Sequence, residues 1–63
     1  MKIIQERMTQ RGDSVTITFA DNGYMLEASG RNDKNDWVDI KVVLTNMEGL
    51  NQALETIAQL PKE

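Results

Sequence analysis

The segment from Asp36 to Leu60 constrains the fold more than any other, because it reads as one strand that leads directly into one helix. Its first part alternates apolar and polar residues, which places the apolar members on one face of a strand. These apolar residues are Val38, Ile40, Val42 and Leu44. The segment therefore predicts a strand with one buried face.

The second part of this segment predicts a helix. Thr45 and Glu48 match the S/T-x-x-E capping box, in which each side chain binds a free backbone N–H at a helix start. An apolar stripe with helical spacing follows, and Pro61 terminates it. The stripe consists of Met47, Leu50, Ala53, Leu54, Ile57, Ala58 and Leu60. We expect one amphipathic helix with its start at this capping box.

Upstream, residues 14–20 alternate cleanly and are rich in β-branched side chains, and residues 24–29 continue the pattern after Asn22-Gly23, a strong hairpin signal. Residues 2–10 fit a first strand less well, because Glu6 would point inward with Ile4 and Met8; a helical first turn is the alternative. Arg11-Gly12-Asp13 has the composition of a hairpin turn, as does the polar segment 32–36.

We therefore predict a single small α+β domain over residues 1–63. Its architecture is a four-stranded antiparallel β-meander followed by one C-terminal amphipathic helix packed on one sheet face, in the order β-β-β-β-α. The helix residues Leu50, Leu54 and Ile57 would meet the inward side chains of the strands. Those side chains are Val15, Ile17, Phe19, Tyr24, Leu26, Val38, Ile40, Val42 and Leu44.

Four strands followed by one helix resemble the positive-cofactor type of single-strand-binding transcriptional coactivators, which are small dimers. The strand-to-helix junction Leu44-Thr45-Asn46-Met47-Glu48 is the nearest local match. The resemblance implies a homodimer that binds single-stranded nucleic acid, and it assigns no site residue. The net charge of −3 departs from what such a binder would favour.

Composition excludes several chemistries. The chain has no cysteine and no histidine, which removes disulfides, the usual transition-metal sites and Ser-His or Cys-His catalysis. The segment after Asp33 is rich in oxygen ligands but lacks the glycine of a calcium loop. We expect no catalytic residue, no metal and no cofactor. With neither a signal peptide nor an apolar span, a cytoplasmic protein outside the membrane is expected.

The sheet face away from the helix, called the helix-free face, is the expected working surface. It would carry Thr16, Thr18, Met25, Glu27, Ser29, Arg31, Trp37, Asp39, Lys41 and Val43. One interpretation is a regulatory contact with a protein partner or a second copy, since Trp and Arg are enriched at interface hot spots. Its predicted contact residues are Trp37, Arg31, Lys41, Val43 and Met25.

The alternative is single-stranded nucleic acid, which stacks on exposed aromatic rings and is neutralised by basic side chains. This interpretation adds Arg7 and Arg11 to the face, provided that the first strand keeps its register. The contact set would then be Arg7, Arg11, Arg31, Lys41 and Trp37. A third interpretation assigns no function, with Trp37 closing the edge of the core and the charges simply solvated.

Overall fold

A computed structural model describes residues 2–63, and its elements follow the order α-β-β-β-α. Helix α1 spans Lys2–Arg7 and helix α2 spans Met47–Gln59. Strands β1, β2 and β3 span Gln10–Ala20, Gly23–Arg31 and Trp37–Leu44, and they form one antiparallel sheet in the order β1-β2-β3. The fold is α+β with a C-terminal helix, but the predicted four-stranded meander is wrong.

The prediction fails at residues 2–10, which form α1 and the start of β1 rather than a separate strand. Ile4 and Met8 are 1% and 0% exposed, and the N–H of Met8 donates to the carbonyl of Ile4 at 2.9 Å. A spacing of four residues brings both side chains onto one face of a helix. Glu6 is then exposed, which removes the inward carboxylate that made the strand interpretation poor.

The segment Arg11-Gly12-Asp13 is not a turn, because β1 runs straight through it. The pairing register of β1 with β2 shifts between Arg11 and Val15, which marks a β-bulge. A Cβ on the buried Gly12 would lie 2.7 Å from the carbonyl oxygen of Ser29. Gly12 therefore allows β1 and β2 to approach each other closely. The residue types that favoured a turn lie instead within a bulged strand.

The helices pack on one face of the sheet and form the core with it. Leu26 and Ala28 of β2 and Ile40 and Leu44 of β3 face the helices, as the alternation predicts. The buried apolar residues are Ile4, Met8, Leu26, Ala28, Ile40, Leu44, Leu50, Ala53 and Ile57. Both helices thus share one core, and the opposite sheet face remains without a helix.

The cap of α2 differs from the prediction. Asn46 is the N-cap, with extended backbone angles, and its side-chain oxygen accepts from the N–H of Gly49 at 2.8 Å. The predicted capping role of Thr45 is therefore wrong by one residue. Both residue types cap helices well, and adjacent candidates give the sequence no means of choosing between them.

The helices leave part of β1 uncovered, since they contact each other and β3. Phe19, predicted to lie in the core, is 77% exposed, and Val15 and Ile17 are only partly buried. The Phe19 ring meets the Tyr24 ring edge to face, with 5.8 Å between the centroids. The inward face of β1 thus extends beyond the helical layer.

Candidate functional site

The helix-free face is shaped by the bulge in β1. Residues that the bulge displaces, Gly12, Asp13 and Ser14, rise on one side of the face, and Trp37 stands on the other. Between them lies an open depression of about 740 Å³. Its lining comprises Gly12, Asp13, Ser14, Thr16, Glu27, Ala28, Ser29, Trp37, Asp39, Ile40 and Lys41. We call this depression the trough.

Trp37 lines the trough, and Arg31 lies beside Trp37. They are directly opposite each other across β2 and β3, and the guanidinium carbon of Arg31 lies 5.5 Å from the centroid of the indole. This distance is within the range of a cation–π contact. Trp37 nevertheless remains 50% exposed, so part of its surface is open to solvent.

The loop between β2 and β3 fixes this pair. The side-chain oxygen of Asn32 accepts from the N–H groups of Lys34 and Asp36 at 2.9 and 3.0 Å, and Asn35 adopts a positive φ of 65°. Asn tolerates that conformation better than most residues, which explains its place here. Arg31 donates to the carbonyl of Asn35 at 3.1 Å, so the loop also orients the guanidinium.

The C-terminal residues contact Arg31 and Asp13. The Nε of Arg31 lies 3.1 Å from Oε2 of Glu63, and the Nζ of Lys62 lies 2.8 Å from Oδ1 of Asp13. Backbone bonds hold this tail to β1, because Arg11 donates to Pro61 and Glu63 donates to Arg11, each at 2.9 Å. Arg31 and Lys62 are therefore both engaged with carboxylates of this chain.

The floor of the trough is polar, with an excess of carboxylates. The hydroxyl of Ser29 donates to Asp39, which is directly opposite it in the sheet. Glu27 is the cross-strand partner of Lys41, and opposite charges at such positions attract. The lining thus contains the carboxylates of Asp13, Glu27 and Asp39 and the basic side chain of Lys41.

The contacts of Asp13 lower the pKa of its carboxyl group. The hydrogen bond from Lys62, and then its positive charge, lower the pKa of Asp13 below 3.8, with a smaller contribution from Arg11. Asp13 is thus an anion throughout the neutral range. A carboxylate held ionised favours cation binding over proton transfer.

An apolar patch lies at the far end of the face. Val43 is 73% exposed and is paired directly with Met25, whose other neighbour is Thr18. The five predicted partner-binding residues, Trp37, Arg31, Lys41, Val43 and Met25, thus lie on adjacent strands and share one face. Trp37 and Val43 mark its two apolar ends.

The set predicted for nucleic acid is not brought together. Arg7 ends α1, on the helix side of the sheet, beside a groove next to β3. Arg11 pairs with Gly30, which shares a face with Val38, so Arg11 lies on the helix side as well. The assumed register of the first strand is wrong, and these two residues do not join Arg31 and Lys41.

Sequence reasoning missed three contributors to the site. Gly12 borders the indole of Trp37, since a Cβ there would make an ordinary van der Waals contact with Cη2 of that ring at 3.5 Å. Lys62 and Glu63 reach the face through the returning tail. Because Gly12 lies between two charged residues, the local sequence favoured a turn there. The contacts of Lys62 and Glu63 join residues that are distant in sequence, so no local pattern indicated them.

Neither the comparison with known proteins nor the arrangement of acidic side chains assigns a functional class to this chain. No protein-family model, no curated protein and no solved structure matches this chain significantly. Across residues 2–63 the acidic side chains form no group of three that could hold a metal ion. Neither helix in that part of the chain is long and apolar enough to cross a membrane.

Proposed function

We propose that this protein is a non-enzymatic regulatory module that binds a protein partner through the helix-free face. The observation that carries the proposal is the half-exposed indole of Trp37, which lies against the guanidinium of Arg31 and borders the trough. A rigid aromatic ring binds at low entropic cost, and Trp and Arg are the residues most enriched at binding hot spots.

The charges of the trough indicate what the partner presents. Of its lining carboxylates, Asp13 is already paired with Lys62 and Glu27 lies opposite Lys41, whereas Asp39 accepts from the neutral hydroxyl of Ser29. Arg31 is likewise already paired with Glu63. A partner with a basic side chain in the trough and apolar side chains against Trp37 and Val43 would complement all three regions. Complementary charges give such a contact its specificity and its association rate.

The same charges count against the alternative of single-stranded nucleic acid. The face offers a single stacking ring, and its basic residues lie beside carboxylates. A nucleic-acid binder loses affinity steeply with added salt as counterions are released. We expect no binding of a labelled single-stranded oligonucleotide at low salt, and salt-sensitive binding that requires Trp37 would favour the alternative instead.

Capture from a cell extract with matched baits tests the proposal. Wild-type protein should retain a partner that Trp37→Ala and Val43→Lys lose, because each removes one apolar end of the face. Met47→Ala is the control, since Met47 is also an exposed apolar residue but lies at the start of α2. A partner retained equally by all baits, or lost with Met47→Ala alone, would contradict the assignment to this face.

A further inference from the structure

Strand β1 has an outer edge that is protected at one end and open at the other. The outward N–H of Arg11 donates to the carbonyl of Pro61, and its C=O accepts from the N–H of Glu63. Beyond the bulge, no backbone bond within residues 2–63 reaches the outer side of residues 14–20. An open row of strand N–H and C=O groups is a template for pairing with another chain.

The hairpin geometry identifies the open groups. Ala20 and Gly23 are paired across a two-residue turn, which makes them a hydrogen-bonded pair, and such pairs alternate along an antiparallel ladder. Thr18 and Thr16 consequently bond to β2. The N–H and C=O groups of Val15, Ile17 and Phe19 point away from β2.

The sequence of this edge lacks the features that prevent association. Residues 14–20 read Ser-Val-Thr-Ile-Thr-Phe-Ala, with no charge and no proline. Edge strands are usually kept apart by lysine, proline or a bulge, and here the bulge precedes the open part. The edge is therefore suited to pair rather than to remain solvated.

The edge is complementary to itself. With a two-fold axis at Ile17, antiparallel pairing sets Val15 opposite Phe19 on the helix side and Thr16 opposite Thr18 on the other side. Each outward-facing pair exchanges two backbone bonds. Aromatic against β-branched side chains, and threonine against threonine, are favourable cross-strand pairs.

The structure also contains a place for the exposed ring. A groove of about 320 Å³ separates β1 from α2, and Val15, Leu54, Ile57 and Ala58 are among its lining residues. Because Phe19 of a second copy would lie opposite Val15, its ring would border this groove. That contact would cover an aromatic side chain that is 77% exposed in the single chain.

We propose that two copies of this chain pair through the open edge of β1, in the register centred on Ile17, to form a continuous six-stranded antiparallel sheet. The axis runs perpendicular to the sheet, so the helices of both copies lie on the same side. This inference depends on the strand edge and on Phe19, and it does not depend on the partner proposed above.

Solution mass with paired lysine variants tests the interface. Wild-type protein should have twice the single-chain mass of 7.1 kDa by light scattering at micromolar concentration. Phe19→Lys should halve it, whereas Val43→Lys, a similarly exposed residue of the helix-free face, should leave it unchanged. Circular dichroism verifies that both variants fold. A single-chain mass for the wild type, or a dimer dissociated by Val43→Lys but not by Phe19→Lys, would overturn the proposal.

Cysteine cross-linking tests the register, because the chain has no cysteine of its own. Thr16 and Thr18 would form a non-hydrogen-bonded pair with Cα atoms about 4.5 Å apart, which is within the range that a disulfide bridges. On oxidation, a mixture of Thr16→Cys and Thr18→Cys proteins should cross-link, and neither should do so alone. A dimer that fails to cross-link in the mixture, or cross-links with one variant alone, would overturn this register.

Discussion

Single residues decide how closely the strands and the first helix approach. A Cβ at Gly30 would lie 2.1 Å from the carbonyl oxygen of Gln10 and 2.6 Å from the sulfur of Met8, so backbone and core occupy the space of any side chain. Gly30 thus allows the end of α1 to seat Met8 at 0% exposure. The short distance to a backbone atom means that a substitution must move the strand itself.

The expected result of Gly30→Ala is a loss of about 1–3 kcal/mol in the free energy of unfolding, the usual cost of overfilling a packed site. Gly49→Ala is the matched control. Its Cβ would meet nothing closer than 3.4 Å, and alanine in a helix gains roughly 0.5–1 kcal/mol over glycine. Urea unfolding of both variants measures these changes, and equal effects would contradict this account of Gly30.

Elements differ in how much of them local sequence determines. The alternation at Val38 to Leu44 and the stripe at Leu50 to Ile57 predict β3 and α2, because burial on one face imposes each period. Ile4 and Met8 fit either a bulged strand or one face of a helix, and tertiary packing decides for the helix. The exposure of Phe19 likewise depends on where the helices end, which no local pattern encodes.

The candidate site divides in the same way. Arg31 and Trp37 became neighbours through a short turn and the strand period, both of which are local. The contacts of Arg31 with Glu63 and of Asp13 with Lys62 join distant parts of the chain, so sequence alone gave no indication of them. The bulge at Gly12 resembled a turn for the same reason, since its partner strand was needed to recognise it.

The identity of the N-cap of α2 can be tested by substitution. Asn46→Ala should reduce the free energy of unfolding by about 1 kcal/mol, because the N–H of Gly49 loses its acceptor. Thr45→Ala should cost distinctly less, since Thr45 is exposed and does not cap the helix. Chemical denaturation of the two variants distinguishes the caps, and a larger loss for Thr45→Ala would restore the capping box.

At the scale of the whole molecule, the two faces of the sheet differ in composition. The helix side holds the core, and the helix-free face holds the trough, the half-exposed indole of Trp37 and the exposed Val43. If two copies pair through β1, their helix-free faces lie side by side and present two copies of Trp37. Two linked sites bind a repeated or dimeric partner more tightly than one site does.

Nuclear magnetic resonance maps the surface of this protein that contacts the partner. A captured partner is added to isotope-labelled protein, and the change in each amide signal is followed. If the partner binds the helix-free face, the signals of the Trp37 indole N–H and of the amides of Met25, Arg31, Lys41 and Val43 should shift most. The amide signals of α2 should not shift. Shifts concentrated on α2, with the Trp37 signal unchanged, would contradict binding through the helix-free face.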